Sequence, residues 1–237
     1  VGDLEPGLFE QSTWVGAERE GQLRALALHF RGLEPPALFL MGETDGLRAI
    51  FERALRPERV YLTCREQRLP LTREFYAWDE VIPMWRMALR PARFRPAEGD
   101  CVRLAHVQAD QLMELYAHGG ADAFSPAQME QGVFYGALAD GRLAAAAGTH
   151  LVSLAYGVAA VGNVFTHPDH RGQGHGTATT GAVVAELMQR GIGDIVLNVG
   201  QDNATAVRIY QRLGFERYCP FLEGPADRRD DVAIRSH

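Results

Sequence analysis

The 237-residue sequence contains no lysine; its 24 lysine-plus-arginine positions are all arginine. A phosphate loop of the G-x-x-x-x-G-K-[ST] kind is therefore excluded, because it needs a lysine on the terminal phosphates. Cysteine is scarce as well. Cys64, Cys101 and Cys219 are odd in number, widely spaced and free of any C-x-x-C. That pattern suggests neither a disulfide framework nor a zinc site, and it predicts a reducing, cytoplasmic setting. Positive charge is short: the net charge is −6 and the pI about 5.8, which argues against a general binder of nucleic-acid backbones. Long apolar runs are missing too. The most apolar stretch, Leu143 to Phe165, is interrupted by Thr149, His150, Ser153, Tyr156, Gly157 and Asn163. It reads as two strands and a turn, so no membrane association is expected. The opening "VGDLEPGLFEQ" is acidic and lacks the apolar region of a signal peptide.

What is present is an ordinary globular composition, 46% hydrophobic and 23% charged, long enough for one or two domains. In the first hundred residues "LRALALHFRG", "PALFLMG", "RVYLTCR" and "VIPMWRMAL" read as strands. "TDGLRAIFERAL" reads as a helix with Thr44 as N-cap. The proline-rich, aperiodic "RPARFRPAEGD" at 90–100 marks a boundary, predicting domains 1–99 and 100–237. Beyond it the order is β-α-α-β-β-β-α-β-α-β. "CVRLAHV" is the first strand, Asp140-Gly141 forms a hairpin turn, Gly191 and Gly214 close two helices, and the tail after Phe221 is polar and partly disordered. The fold class expected is α/β (α+β): a mixed, mostly antiparallel sheet with flanking helices, preceded by a smaller α/β domain.

The informative stretch is "NVFTHPDHRGQGHGTATTGAVVAELMQRG", Asn163 to Gly191. A strand ends near Thr166, Pro168 breaks it, and the loop R-G-Q-G-H-G opens into a helix. Glycines let several amides point one way, and the helix tip adds free N–H groups and a partial positive charge. Together these suit a pyrophosphate, with Arg171 adding a full charge at the mouth. A dinucleotide loop, G-x-G-x-x-G, fits poorly: the sixth place is Thr177, and Asp194 precedes its strand instead of ending it.

The third anion reading is coenzyme A, and here the residues resemble a family. "VFTHPDHRGQGHG" resembles the acyl-CoA motif [R/Q]-x-x-G-x-[G/A] of the GNAT N-acetyltransferases, filled by Arg171, Gly174 and Gly176. "NATAVRIYQRLGF" resembles that family's N-x-x-A-x-x-x-Y-x-x-x-G-F, filled by Asn203, Ala206, Tyr210, Gly214 and Phe215. The resemblance spans residues 100 to 220 and is nearest to a two-domain, glycine acyltransferase-like subgroup. It implies a GNAT-type sheet, acetyl-CoA as acyl donor with no metal, and transfer to a small-molecule amine or a peptide by direct attack in a ternary complex. It implies that Arg171, Gly172, Gln173, Gly174, His175, Gly176 and Thr177 cradle pyrophosphate. Val164, Phe165 and Thr166 would run beside pantetheine, which pairs as an added strand. Asn203 would cap its helix and touch pantetheine or the acceptor.

Tyr210 is then the acid for the departing thiolate, although Ala206, Ile209, Tyr210 and Leu213 also make a helical stripe that a core tyrosine would fit. The base is open. Many family members carry an acid on the strand before the glycine loop; "AAVGNVF" has Asn163 instead. His150 and Glu130 are the candidates. His167 and His170 form an H-x-x-H with no evident third ligand, so no metal site is expected. The N-terminal domain lacks a glycine loop and is expected to shape the acceptor pocket, as a degenerate copy of the same fold. A CoA-binding sensor without catalysis, and an enzyme using longer acyl groups, remain as alternatives.

Overall fold

The computed structural model describes residues 5–120 and 124–229. In chain order the elements are α1 (Pro6–Phe9), β1 (Ser12–Arg19), β2 (Gln22–Phe30), β3 (Ala37–Gly42), α2 (Thr44–Arg53), β4 (Arg59–Cys64), α3 (Leu69–Phe75), β5 (Tyr76–Trp78) and β6 (Ile82–Leu89). Then come β7 (Val102–Arg103), α4 (Ala109–Tyr116), α5 (Gln128–Gln131), β8 (Tyr135–Ala139), β9 (Arg142–Ser153), β10 (Val158–Thr166), α6 (His175–Gln189), β11 (Asp194–Gly200), α7 (Ala204–Arg212) and β12 (Glu216–Arg228). They group into two compact units. Within the described residues one unit holds 5–85, Gly200–Asp202 and 219–229; the other holds Arg86–Val199 and Asn203–Tyr218.

In the unit that contains the first strands, β1, β2 and β3 form an antiparallel meander. A parallel β4 comes next through the crossover α2, and β12 pairs antiparallel with β4. The meander turns at Glu20 and Gly21, both at positive φ (54° and 74°), as a two-residue hairpin requires. Its core gathers Leu38, Leu47, Ile50, Phe51, Leu62, Phe75 and Tyr76 between α2 and the strands.

In the other unit the order is β7-β8-β9-β10-β11-β6, antiparallel throughout β7 to β10 and parallel between β10 and β11. Ala144 to Thr149 of β9 are buried without alternation, so both faces of that strand are covered. The covers are α6, which also packs on β8 and β10, and α4. Leu112, Leu115 and Tyr116 of α4 join Phe134, Ala146 and Phe165 in one cluster.

Several expectations change. The division falls at Arg86, not at 99/100, because residues 90–100 are packed in place. The Arg95 amide donates to the Leu213 carbonyl (3.1 Å), and Gly99 lies so close to α6 that a Cβ would stand 2.6 Å from that of Ala178. Residues 219–229 group with the first strands because β12 pairs with β4 from Leu222 to Asp227. The polar tail is strand as far as Arg228; residues 230–237 lie outside the described residues. Thr44 is not the N-cap of α2. Glu43 holds that position, and the Thr44 hydroxyl accepts from Arg68 instead (2.7 Å). The strand expected at "CVRLAHV" is two residues long, since the Gln108 side chain takes the Ala105 amide (2.7 Å) and turns the chain.

Candidate active site

The site is built on β10. Its parallel pairing with β11 stops at Val161↔Leu197, while β10 continues to Thr166 and β11 to Gly200. The two strand ends therefore leave backbone groups unpaired across a gap. On its other side β10 is bulged twice against β9. Between Gly162↔Gly148 and Phe165↔Ala146 two residues, Asn163 and Val164, face one, and Asn163 takes the left-handed conformation (φ 51°) that asparagine tolerates. Between Ala160↔Leu151 and Val161↔Thr149 the extra residue is His150. Its ring lies across Gly162, where a Cβ would meet Nε2 at 1.9 Å. A glycine is thus required there for the imidazole to sit against the strand.

The loop after Thr166 returns upon it. Arg171 Nε donates to the Thr166 carbonyl (3.3 Å), and its guanidinium stands 5.9 Å from the Phe165 ring centre. Gly172 and Gly174 adopt φ of 78° and 88°, and no heavy atom lies within 4 Å of where a Cβ would project from either. Gly174 is the N-cap of α6; its carbonyl receives the Thr177 and Ala178 amides at 3.0 Å each. The amides of Gly172 to Gly176 have no acceptor among the described residues, and no acid occupies the first turn. This is a concave set of free N–H donors with the positive end of a 15-residue helix behind it, open where side chains would otherwise intrude. It fits the pyrophosphate of an acyl-CoA.

Gly176 packs between β10 and α7: a Cβ would stand 3.1 Å from Thr166 Oγ1 and 3.9 Å from Ile209 Cδ1. The cradle, the strand end and α7 therefore converge. Asn203 caps α7, its Oδ1 accepting the Ala206 amide (3.0 Å). Tyr210 is 7% exposed with its ring edge-on to Phe215, and burial pushes its phenol up to about 12. Among the described residues its hydroxyl has no hydrogen-bond partner, unlike that of Tyr116, which donates to the Asn163 carbonyl (2.7 Å).

The other expected residues divide between loop, core and surface. Thr166 and Thr177 are half-buried at the loop, and Gln173 is exposed on it. Val164 is half-buried in the bulge, whereas Phe165 is turned into the α4 cluster, so its side chain is core. His175 opens α6 and ends a row of rings: His118 to His167 at 4.3 Å, His167 to His170 at 5.7 Å, His170 to His175 at 6.4 Å. Sequence alone does not single out His118, since it comes from the end of a different helix. No group of three or more His, Cys, Asp or Glu among the described residues is placed to hold a metal ion. Burial lowers the pKa of His150 below 6.5, so the ring is neutral near pH 7 although the residue retains an exposed edge. Glu130 is exposed on α5. Its neighbour Gln128 reaches Asn163, accepting Nδ2 at 3.0 Å, while Asn163 Oδ1 is buried without a partner.

Residues 101–215 match the family model described as Acetyltransferase (GNAT) family. A mycothiol acetyltransferase of Rhodococcus opacus is 44% identical over 62 residues, 25% of this chain and 20% of that protein. The chain thus aligns with a fifth of that curated relative's length. A GCN5-related N-acetyltransferase from Kribbella flavida superposes with a TM-score of 0.65 at 19% identity, over 93% of this chain and 91% of that one. A tandem GNAT protein from the clavulanic acid biosynthesis pathway superposes at 0.60 with 16% identity, over 95% and 86%. At these identities the structural likeness shows the fold alone.

Proposed function

We propose, from the match of residues 101–215 to the GNAT acetyltransferase family model, that the protein transfers an acyl group, acetyl first, from coenzyme A to the amine of a small molecule or peptide. The observation that carries this is the cradle of free amides at Gly172 to Gly176, set at the end of a strand that parts from its neighbour after Val161. Arg171 and those amides would hold pyrophosphate, the unpaired edge of Val164 to Thr166 pantetheine, and Asn203 its far end.

The chain's residues would then handle two protons. An amine near pKa 10.4 must shed one before it attacks; His150, neutral and on the strand beside the bulge, is the acceptor favoured over Glu130. The departing sulfur needs a donor, and Tyr210 offers an O–H with no competing partner. A phenol at about 12 facing a thiol near 8.5 makes full transfer uphill by about 5 kcal/mol, so Tyr210 first acts by hydrogen-bonding the thiolate, which takes up the second proton that the nitrogen sheds after attack. No cysteine nucleophile is invoked. Cys64 is buried with its thiol pushed up to about 12, which suits packing.

The unit of the first strands is proposed to be a degenerate copy of the same fold. It repeats the meander–helix–parallel strand order without a glycine loop. The name of the Rhodococcus relative points to one acceptor, but a 62-residue alignment does not carry an acceptor pocket with it. Asn163, standing where many relatives carry an acid, favours a second reading as an acyl-CoA sensor.

Calorimetric titration with acetyl-CoA, with NADH as control, tests the cradle. Micromolar binding of acetyl-CoA alone is expected, and failure of acetyl-CoA, longer acyl-CoAs and free CoA together would sink the reading. Thiol release across an amine panel then separates enzyme from sensor.

A further inference from the structure

We propose that the shallow pocket lined by Arg95, Arg208, Gln211 and Arg212 is a phosphate subsite, and that it takes the 3′-phosphate at the nucleotide end of the acyl-CoA donor. The inference rests on the acyltransferase reading and adds to it a recognition element outside the glycine loop. The pocket is open to solvent, with a volume of about 370 Å³, room for a phosphate and part of a ribose.

Its charge is uncompensated. Three other arginines of the same unit are paired with acids, Arg93 with Glu216 and both Arg103 and Arg190 with Glu186; Arg90, Arg142 and Arg171 are not, among the described residues, but the pocket brings three such arginines to one depression. Arg95, Arg208 and Arg212 meet no carboxylate within 4.0 Å among the described residues. In a chain of net charge −6 that is a local reversal of sign. It carries a cost, since Arg208 and Arg212 stand one turn apart on α7, where like charges repel. The negative end of the helix accounts for Arg212 in the last turn. It does not account for Arg208 in the helix middle, nor for Arg95, which is brought from another segment and anchored through its amide to the Leu213 carbonyl (3.1 Å). Arg208 spends one N–H on Thr205 Oγ1 (3.3 Å), which leaves the rest of its fork to a ligand.

Position ties the pocket to the donor. Ile209, next to Arg208, is the α7 residue that packs against Gly176 of the cradle. From Ile209 to Arg212 the helix rises roughly 4–5 Å. In coenzyme A a single ribose separates the pyrophosphate from the 3′-phosphate, so one ligand can reach both. A phosphate monoester carries nearly two charges on three oxygens, the chemistry that guanidinium forks match.

The test is a cycle of two ligands and two proteins. Acetyl-CoA and 3′-dephospho-acetyl-CoA are titrated into the full chain and into R208Q/R212Q. The native chain is expected to prefer acetyl-CoA by about tenfold or more, with the preference shrinking as salt is added. The variant should lose most of that preference while its affinity for the dephospho ligand stays unchanged, which also shows that it is folded. Equal binding of both ligands to the native chain, or a preference kept by the variant, overturns the subsite while leaving the acyltransferase reading intact. If neither ligand binds the native chain, that reading falls, and the subsite with it.

Discussion

The chain makes two parallel crossovers of like plan, β3–α2–β4 and β10–α6–β11, and they differ in the connection between first strand and helix. After β10 an eight-residue loop, 167–174, separates strand from helix, and the helix tip is free of acids. After β3 only Glu43 intervenes. Glu43 sits at the N-cap of α2 in an ion pair with Arg24, and Asp45 lies in the first turn. The strand end is filled as well: Arg68 donates to the Gly42 carbonyl (2.9 Å) and to Thr44. Gly42 itself (φ 99°) has the Arg24 carbonyl 2.3 Å from any Cβ. An arginine donates to the strand-end carbonyl in both, Arg68 to Gly42 and Arg171 to Thr166; the difference is that one crossover places two acids at its helix tip and the other leaves the tip free of them. The two crossovers therefore differ in the connection, not in the strand–helix–strand plan.

The comparison extends to two buried tyrosines, and there the largest effect is expected. Tyr76 in the first-strand unit is fully buried and donates to the Pro57 carbonyl (3.1 Å); Tyr210 is nearly as buried with its hydroxyl unpartnered among the described residues. Tyr210→Phe should lower kcat by about 10²–10⁴-fold with acetyl-CoA affinity and thermal midpoint nearly unchanged. Tyr76→Phe should do the reverse, costing about 1 kcal/mol of stability and no turnover. Steady-state kinetics beside thermal melts check both; an unchanged kcat in Tyr210→Phe removes Tyr210 from the acid role.

Next in size is converting the open tip into the closed kind. Gly174→Asp supplies a carboxylate at the α6 N-cap, at a left-handed φ that aspartate tolerates. Acetyl-CoA affinity should drop about a hundredfold through repulsion of pyrophosphate and loss of its donors. Stability should change by no more than about 1–2 kcal/mol. Calorimetry with a melting curve on the same sample measures both quantities, and retained affinity would mean that the pyrophosphate sits elsewhere.

The opposite change is smaller. Arg68→Ala opens the strand end beside Gly42 and should cost about 1–2 kcal/mol for two hydrogen bonds. It should leave binding at one acetyl-CoA per chain. A second equivalent in the titration would mean that the plug alone masks a working donor site.

How far this contrast is legible in the sequence depends on the kind of interaction. The glycine loop, the Asp140-Gly141 hairpin and the Asn203 cap announce themselves, because turns and caps need particular residues within a few positions. The strand "STWVGAER" carries a central glycine and one charged end, so alternation does not reveal β1, although the Glu20-Gly21 turn after it is a signal that could. Long-range facts stay hidden. Arg68 plugging Gly42, His118 meeting His167, and Arg95 joining Arg208 all bring together residues far apart in the chain. The bulge that sets His150 over Gly162 is a property of strand register, which sequence leaves open.

The smallest effect sets one histidine of each unit against the other. His29 and His150 both have pKa values lowered below 6.5, by burial in each case and by Arg31 as well for His29. Linkage gives the sign. Below pH 6.5 the unfolded chain takes up a proton that the folded imidazole resists, so stability is whole above 6.5 and declines as pH falls toward the folded pKa. His29→Gln and His150→Gln should each flatten that decline, as urea midpoints at several pH values would register. Turnover should separate them. His150→Gln is expected to lower kcat/KM at every pH and to remove the acid limb of the profile, which the depressed pKa places below 6.5. His29→Gln should leave the profile unchanged, because the Nε2 of that ring is buried in its own unit without a hydrogen bond and meets no substrate. If the acid limb survives His150→Gln, the proton goes elsewhere, and Glu130 becomes the residue to change next.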